Sequence, residues 1–379
     1  MEVYLDNAAT TMPYDEVINT VAFNMKNNFA NPSAKHLLGI KAERLLNDSR
    51  EKIAYTLNCS KDEIIFTSGG SESNNLAIKG FAKPGCHMIT SVIEHSSVLK
   101  TFKELEDEGV SVSYIKVDDK GRLDLHELEN SINKDTVLIS IMHVNNEVGT
   151  IQDLEAIGAL IRKKSQRAKF HVDAVQSYGK FNIDVQRCNI DLLSISAHKF
   201  HGPRGVGAIY IKKALYPKTL ITGGGQEKGY RSGTENVAGT SGMAMASEMM
   251  YENIIENYNK VTSIKAYFID KLQEVKDISI NSPLEEHISS YILNVSFKGV
   301  RGEVLLHLLE EKGIYVSTGS ACSSKSKKSA SVLKALGLSD KDIEGTLRFS
   351  FNEKNTKEEI DYVIENLKQS LNFLRRVRK

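Results

Sequence analysis

The sequence predicts an α/β protein built on a mostly parallel sheet, with a smaller α/β unit at its C-terminal end. Three observations carry this expectation. Short apolar runs rich in β-branched residues recur from about residue 60 to residue 211. Helical segments separate several of those runs. Beyond about residue 258 the pattern changes to long charged helices alternating with isolated strands.

In order, the strand-like runs are EIIFTS, HMITSV, VSVSYIKV, TVLISIMHV, KFHVDAV, DLLSISA and residues 206–211. Residues 75–80, 97–108 and 153–164 read as helices between them. Buried strands alternating with helices imply a sheet covered on both faces. In such sheets ligands sit at the carboxyl ends of the strands, so the residues just after each strand are the ones to inspect. Past residue 258 come a charged helix (260–275), a strand SYILNVSF, a helix starting near Gly302, a strand GIYVS, a polar loop and a strand TLRFSF. The chain closes on a helix ending RRVRK, where cations suit the helix dipole.

The chain has 379 residues, 41% hydrophobic and 26% charged, with a net charge of +1. That length gives ample chain for a sizeable core. A nearly neutral balance argues against nucleic acid or an anionic membrane as main partner. The start, MEVYLDNAATT, has no basic region leading into an apolar run, and no apolar stretch is long enough to span a bilayer. A cytoplasmic location is the default expectation. Four cysteines, Cys59, Cys86, Cys188 and Cys322, show neither a CxxC pair nor zinc-like spacing, so no resident metal is expected. The first three border apolar segments and read as small buried hydrophobes.

The segment DLLSISAHKFHGPRGVGAIYI places Lys199 in a glycine-rich turn between two apolar strands. A free lysine titrates near about 10.4, and burial can bring it close to neutrality. A neutral amine there is a nucleophile for an aldehyde. A surface lysine in a hairpin turn is the alternative. Four other segments shift the balance. GGSESNNLAI, after a strand, is a glycine turn opening a helix, a ready anion site at Gly70 and Ser71, although a capped helix without ligand would look the same. His95 follows SVI and could stack on a ring or move protons, or simply be a bonded loop histidine. Asp173 follows FHV and could pair with a protonated pyridine nitrogen, with Gln176 near the ring's phenolic oxygen; a helix-capping aspartate is the alternative. Asn146 lies in a polar turn at the same sheet edge. Together these form a parts list for pyridoxal phosphate.

Cys322 sits in STGSACSSKSKKSAS, among small and polar residues with Lys325, Lys327 and Lys328 following. Nothing there buries a cysteine by packing. Neighbouring cations favour the thiolate, below its ordinary pKa of about 8.5.

These residues identify a resemblance. The chain resembles the pyridoxal-phosphate-dependent cysteine desulfurases of the NifS/IscS type, in the class V aminotransferase group. YLDNAATT (4–11), NPSAKH (31–36), FTSGGSESNNLAIKG (66–80), EHSSV (94–98), HVNNEVGTIQ (143–152), HVDAVQS (171–177), SAHKFHGPRGVGA (196–208), GGGQEKGYRSGTEN (223–236), TGSACSS (318–324) and LRFSF (347–351) carry it nearly end to end.

The resemblance implies fold type I of this cofactor class. A large domain (16–257) would hold a mainly parallel seven-stranded sheet, and residues 1–15 with 258–379 would form a small domain carrying the cysteine loop at about 318–330. It implies Lys199 as the cofactor-bearing lysine and Cys322 as the persulfide-forming nucleophile. His95 would stack and shuttle protons, Asp173 would hold the pyridine nitrogen and Gln176 the phenolic oxygen. Asn146 would line the cofactor, and Gly70, Ser71, Ser196 and His198 would hold its phosphate. Thr234 would reach the phosphate of the neighbouring subunit, implying a homodimer, and Arg348 would clamp the substrate carboxylate. The expected substrate is L-cysteine. The expected partner is a sulfur acceptor, either an iron–sulfur scaffold or a tRNA-thiolation enzyme, and Cys322 could touch an iron–sulfur cluster during transfer. Two departures stand out. Gly70-Ser71 replaces a usual alanine-threonine, and KSKKSAS follows the cysteine where a proline is common. An aminotransferase or selenocysteine lyase of the same fold, and a silent scaffold, are the rival readings.

Overall fold

The computed structural model describes residues 1–318 and 331–377. In chain order its elements are β1 (Val3–Tyr4), α1 (Asp15–Asn27), α2 (Leu37–Leu57), β2 (Ile64–Thr67), α3 (Gly70–Lys79), β3 (His87–Ser91), α4 (Ser96–Asp107), β4 (Ser111–Ile115), α5 (Leu125–Ser131), β5 (Thr136–Met142), α6 (Leu154–Lys164), β6 (Lys169–Asp173), β7 (Leu192–Ser196) and β8 (Gly207–Ile211). Then follow α7 (Val237–Glu252), α8 (Ile254–Leu272), β9 (Ile278–Ile280), β10 (Ile292–Phe297), α9 (Gly302–Glu310), β11 (Ile314–Tyr315), β12 (Ser317–Thr318), α10 (Ser331–Ala335), α11 (Asp340–Glu344), β13 (Thr346–Ser350) and α12 (Lys357–Val377).

All seven strand-like runs join one seven-stranded sheet in the order β2-β8-β7-β6-β5-β3-β4. Its pairs from β7 to β4 are parallel, while β8 is antiparallel to both β7 and β2. Reversing β8 leaves β2 running with β7. The carboxyl ends of β2, β3, β5, β6 and β7 therefore share one edge.

Period-two alternation builds the two faces. Ile64, Phe66, Ile139, Ile141, Ala208 and Tyr210 pack in one core with Ile53 of α2, Ile157 of α6 and Met243 of α7. Ile65, Leu138, Ile209 and Ile211 pack in another, with Leu76 of α3 and Phe102 of α4. Each fully buried aliphatic side chain contributes about 1.5–3 kcal/mol by leaving water.

A four-stranded antiparallel sheet, β12-β13-β10-β9, forms a separate core with α8, α9 and α12 around Phe268, Leu305, Phe349 and Val363. The run GIYVS divides there. Ile314–Tyr315 pairs in parallel with β1, and Ser317–Thr318 pairs with β13. Val3, Leu5 and Ala8 belong to this separate core, so the N-terminal segment returns to residues more than three hundred positions away. Among the described residues no helix is long and apolar enough to cross a membrane.

Candidate active site

A cavity of about 410 Å³ opens at the shared strand edge. Its lining includes Gly70, Ser71, His95, Asn146, Asp173, Gln176, Ser196, His198, Lys199 and Arg348, ten of the residues singled out from the sequence. Thr234 is exposed and does not line it. Cys322 lies outside the described residues. Its described chain neighbour Thr318 is part of the lining.

Local chemistry explains how each side chain arrives. After β2 the chain turns at Gly69 (φ 151°) into α3, and Glu72 accepts a hydrogen bond from the Ser68 backbone N–H at 2.9 Å. A Cβ on Gly207 would lie 2.6 Å from the Gly69 Cα, so β8 and this turn approach as only glycine permits. A Cβ on Gly70 would come within 2.5 Å of Val175 Cγ2. The valine methyl occupies the space an alanine would need, which accounts for glycine at this position in this chain.

After β5, Asn145 builds the next turn. Its Oδ1 accepts from the N–H groups of Glu147 and Val148 at 2.9 and 3.0 Å, and its Nδ2 donates to the Ile93 carbonyl at 3.0 Å. This presents Asn146 and Glu147 to the cavity. After β7 the short helical turn Ala197–Lys199 closes tightly, with the Gly202 N–H donating to the Ala197 carbonyl at 2.9 Å. Lys199 Nζ donates to the carbonyls of Ala8 and Ala9 at 2.6 and 2.8 Å. His198 faces Thr10 Oγ1 at 3.2 Å, and burial, then the charges of Lys199, Arg204 and Lys180, lower its pKa to about 4.

Asp173 is buried at the end of β6. Its Oδ1 accepts from the Val175 N–H at 3.0 Å and its Oδ2 from Asn74 Nδ2 at 2.8 Å. Asn74 Nδ2 also donates to Ser97 Oγ at 2.9 Å, and Ser97 Oγ meets His95 Nδ1 at 2.8 Å. Burial lowers the His95 pKa, with Asp173 opposing and Lys199 reinforcing the shift. Burial thus favours the neutral imidazole.

Arg348 reaches in from β13. It donates to the Asn146 carbonyl and to Asp6 Oδ1, each at 2.8 Å. The Glu147 carboxyl, in the same lining, is pushed up to about 7 by burial, with Arg348 opposing. The N-terminal segment supplies more than Asp6. The Ala8 carbonyl also accepts from Gln176 Nε2 at 2.8 Å, and the Ala8 N–H donates to Ser350 Oγ at 2.8 Å.

Asp6, Asn74, Ser97, Glu147, Ser317 and Thr318 were not singled out from the sequence. Each falls inside a quoted motif or beside one, but its role depends on partners distant in the chain. Thr234 belongs to a loop whose Arg231 pairs with Glu72, in the first turn of α3, at 3.0 Å.

These groups fit an aromatic aldehyde bearing a phosphate. Asp173 suits a ring nitrogen, and Lys199 suits the aldehyde. Gln176 Nε2 has a second hydrogen beyond the one given to Ala8, suited to a phenolic oxygen. The Gly70 N-terminus of α3 with Ser71 suits the phosphate. Gln176 Oε1 and Asn74 Oδ1 are buried without a hydrogen-bond partner among the described residues. Among those residues no cluster suited to a metal ion occurs.

The family model of the class-V aminotransferases matches residues 3–363. The chain is 43% identical over 373 residues to cysteine desulfurase IscS of Clostridium botulinum, covering 97% of this chain and 93% of that protein. A solved NifS-like protein superimposes with a TM-score of 0.93 at 39% identity, covering 98% of this chain and all of the other. SspA in complex with cysteine superimposes with a TM-score of 0.83 at 36% identity, over 93% of this chain and all of the other. Fold and site thus define a class-V aminotransferase architecture with a lysine-bearing cavity. The chain belongs to that family and, within it, to the cysteine desulfurases of the NifS/IscS type.

Proposed function

We propose that this protein is a pyridoxal-phosphate-dependent cysteine desulfurase that converts L-cysteine to L-alanine and holds the sulfur as a persulfide on Cys322. The observation that carries this is one cavity whose lining includes Lys199, Asp173, His95, Arg348 and Thr318, the last of them four positions before Cys322 in the sequence.

Gly70, Ser71, Ser196 and His198 would hold the phosphate, Asp173 the ring nitrogen and Gln176 the phenolic oxygen, with Asn146 lining the cofactor site. His95 would stack on the ring. Pyridoxal phosphate, when bound, supplies an aldehyde for the substrate amine and an electron-withdrawing ring that stabilises charge at the α-carbon. Arg348 orients the substrate through its carboxylate. Lys199 Nζ takes the α-proton, and His95 carries protons at Nε2. Cys322 Sγ attacks the substrate sulfur. An S–S bond forms as the Cβ–S bond breaks, and the electron pair stays with the carbon skeleton, which leaves as alanine after protonation.

Residues 16–257 form the large domain, and residues 1–15 with 258–379 the small one, in keeping with the separate core that Val3, Leu5 and Ala8 share with α8, α9 and α12. Thr234 completes the phosphate site of a second copy. Phe23 of α1, Phe29 just after it and Leu37 at the start of α2 are exposed apolar side chains of the kind such a contact would cover. The sulfur passes in the cytoplasm to an iron–sulfur scaffold or a tRNA-thiolation enzyme.

The test is turnover of L-cysteine by the cofactor-loaded protein with a thiol reductant. Alanine and sulfide are expected in equal amounts. Cys322→Ala should keep the visible absorbance and release no sulfide, and Lys199→Ala should lose that absorbance. Wild-type sulfide release by Cys322→Ala would overturn the assignment.

A further inference from the structure

Arg348 faces the cavity already engaged. Its Nη2 donates to Asp6 Oδ1 and its Nη1 to the Asn146 carbonyl, each at 2.8 Å. Its Nε is buried without a partner among the described residues. The Arg348 side chain is 9% exposed and that of Asp6 22%, and both line the cavity. Asp6 presents the functional group that Arg348 is read to bind, a carboxylate. A second carboxylate brought to the same guanidinium would stand beside Asp6, and two like charges at one cation repel.

We propose that Asp6 is a built-in competitor for the α-carboxylate of the substrate, giving up the Nη2 edge of Arg348 when an amino acid binds. This rests on the reading of Arg348 as the carboxylate site. The competitor has a physical purpose. A guanidinium so poorly hydrated is costly without a counter-charge. Glu147, the other nearby carboxyl, is held towards its neutral form by burial and serves poorly in that role. The exchange is confined to a side chain. Asn7 Nδ2 donates to the Ser350 carbonyl at 2.9 Å and the Ala8 N–H to Ser350 Oγ at 2.8 Å, which fixes the backbone beside Asp6. The Ala8 and Ala9 carbonyls that receive Lys199 therefore stay in place while Asp6 turns away. An amine without a carboxylate cannot displace Asp6, so the pair also discriminates amino acids from simple amines.

The test titrates the cofactor-loaded protein, by visible absorbance, with L-alanine and with ethylamine, which is alanine without its carboxylate. Asp6→Asn and Asp6→Ser should bind L-alanine roughly three- to tenfold more tightly, the factor expected when a partly buried ion pair need not be given up. Ethylamine affinity should not move, and Asp6→Glu should stay near wild type. Unchanged or weaker L-alanine binding in both variants overturns the proposal. So does equal tightening of ethylamine, or failure of both variants to fold, since Asp6 would then be only a structural partner. Arg348→Ala separates the two levels. If it leaves L-alanine affinity intact, the reading of Arg348 falls. If it weakens L-alanine while the Asp6 variants change nothing, only the competitor falls.

Discussion

Ser97 grips Nδ1 of His95 twice, through its hydroxyl at 2.8 Å and its own backbone N–H at 3.1 Å. The N–H can only donate, so Nδ1 must accept, and the neutral ring carries its proton on Nε2. Ser97 Oγ in turn accepts from Asn74, whose amide also holds Asp173. His95 and Asp173, both in the cavity lining, are thus oriented through one amide and one hydroxyl.

Ser97→Ala should therefore act through His95 rather than through folding. The variant keeps the backbone donor and loses the hydroxyl donor, an interaction worth about 1 kcal/mol. We expect kcat for cysteine to fall roughly three- to tenfold. The ring titration, which lies below the ordinary 6.5, should move upward. Nitrogen NMR of the His95 ring reads both tautomer and pKa. An unmoved ring titration in the variant would refute the arrangement.

Glu94 gives a pH dependence whose sign can be worked out. Its carboxyl is fully buried, accepts from Ser91 Oγ at 2.6 Å and the Met142 N–H at 2.9 Å, and burial pushes its pKa from 4.5 up to about 8. Between those values the folded protein holds a proton that the unfolded chain has lost. Its stabilising contribution is complete below 4.5 and is lost as pH rises through about 8. Glu94→Gln removes the titration and keeps an acceptor for both donors. The unfolding free energy of the variant relative to wild type, followed by denaturant melts, should climb from pH 5 to pH 8 and level off above about 9, by an amount of order 3 kcal/mol. A difference independent of pH would show that Glu94 titrates normally. On the acid side the buried His171, lowered by burial to about 3, works in the opposite sense in both proteins, so it cancels from the comparison.

The strands and the residues that follow them were legible because the chemistry is local. A β-branched run ends, and Asp173 or Lys199 comes next. What could not be read follows from the same physics. Helix α7, VAGTSGMAMASEMMYE, is buried on nearly all sides between α1, α2 and the sheet, so it shows no amphipathic stripe. Asp6 meets Arg348 because β1 pairs with β11 and Asp6 bridges to Ser350, a closure over more than three hundred residues that no window reveals. Ser97 reads as an ordinary residue of a helix's first turn until Asn74, from another helix, is placed against it.

The loop carrying Thr234 supplies the last prediction. Glu227 and Lys228 have left-handed backbones, φ 46° and 56°, each costing about 1 kcal/mol or more outside glycine. The strain is offset at one anchor. The Glu227 carboxylate accepts from Arg50 Nη1 and Nη2 at 2.7 and 2.9 Å and from the Phe66 N–H at 2.8 Å, and the guanidinium lies 4.8 Å above the Phe66 ring. Both charges are almost wholly buried. Glu227→Gln should cost about 3 kcal/mol, because Arg50 keeps its charge and loses its partner. Arg50→Met combined with Glu227→Gln should recover part of that loss, since the glutamine oxygen still accepts from Phe66 and no charge is left buried. Thermal melts of the two singles and the double decide it. A double variant less stable than Glu227→Gln would mean that Arg50 contributes chiefly by packing on Phe66, and the loop would then be held by shape rather than by charge.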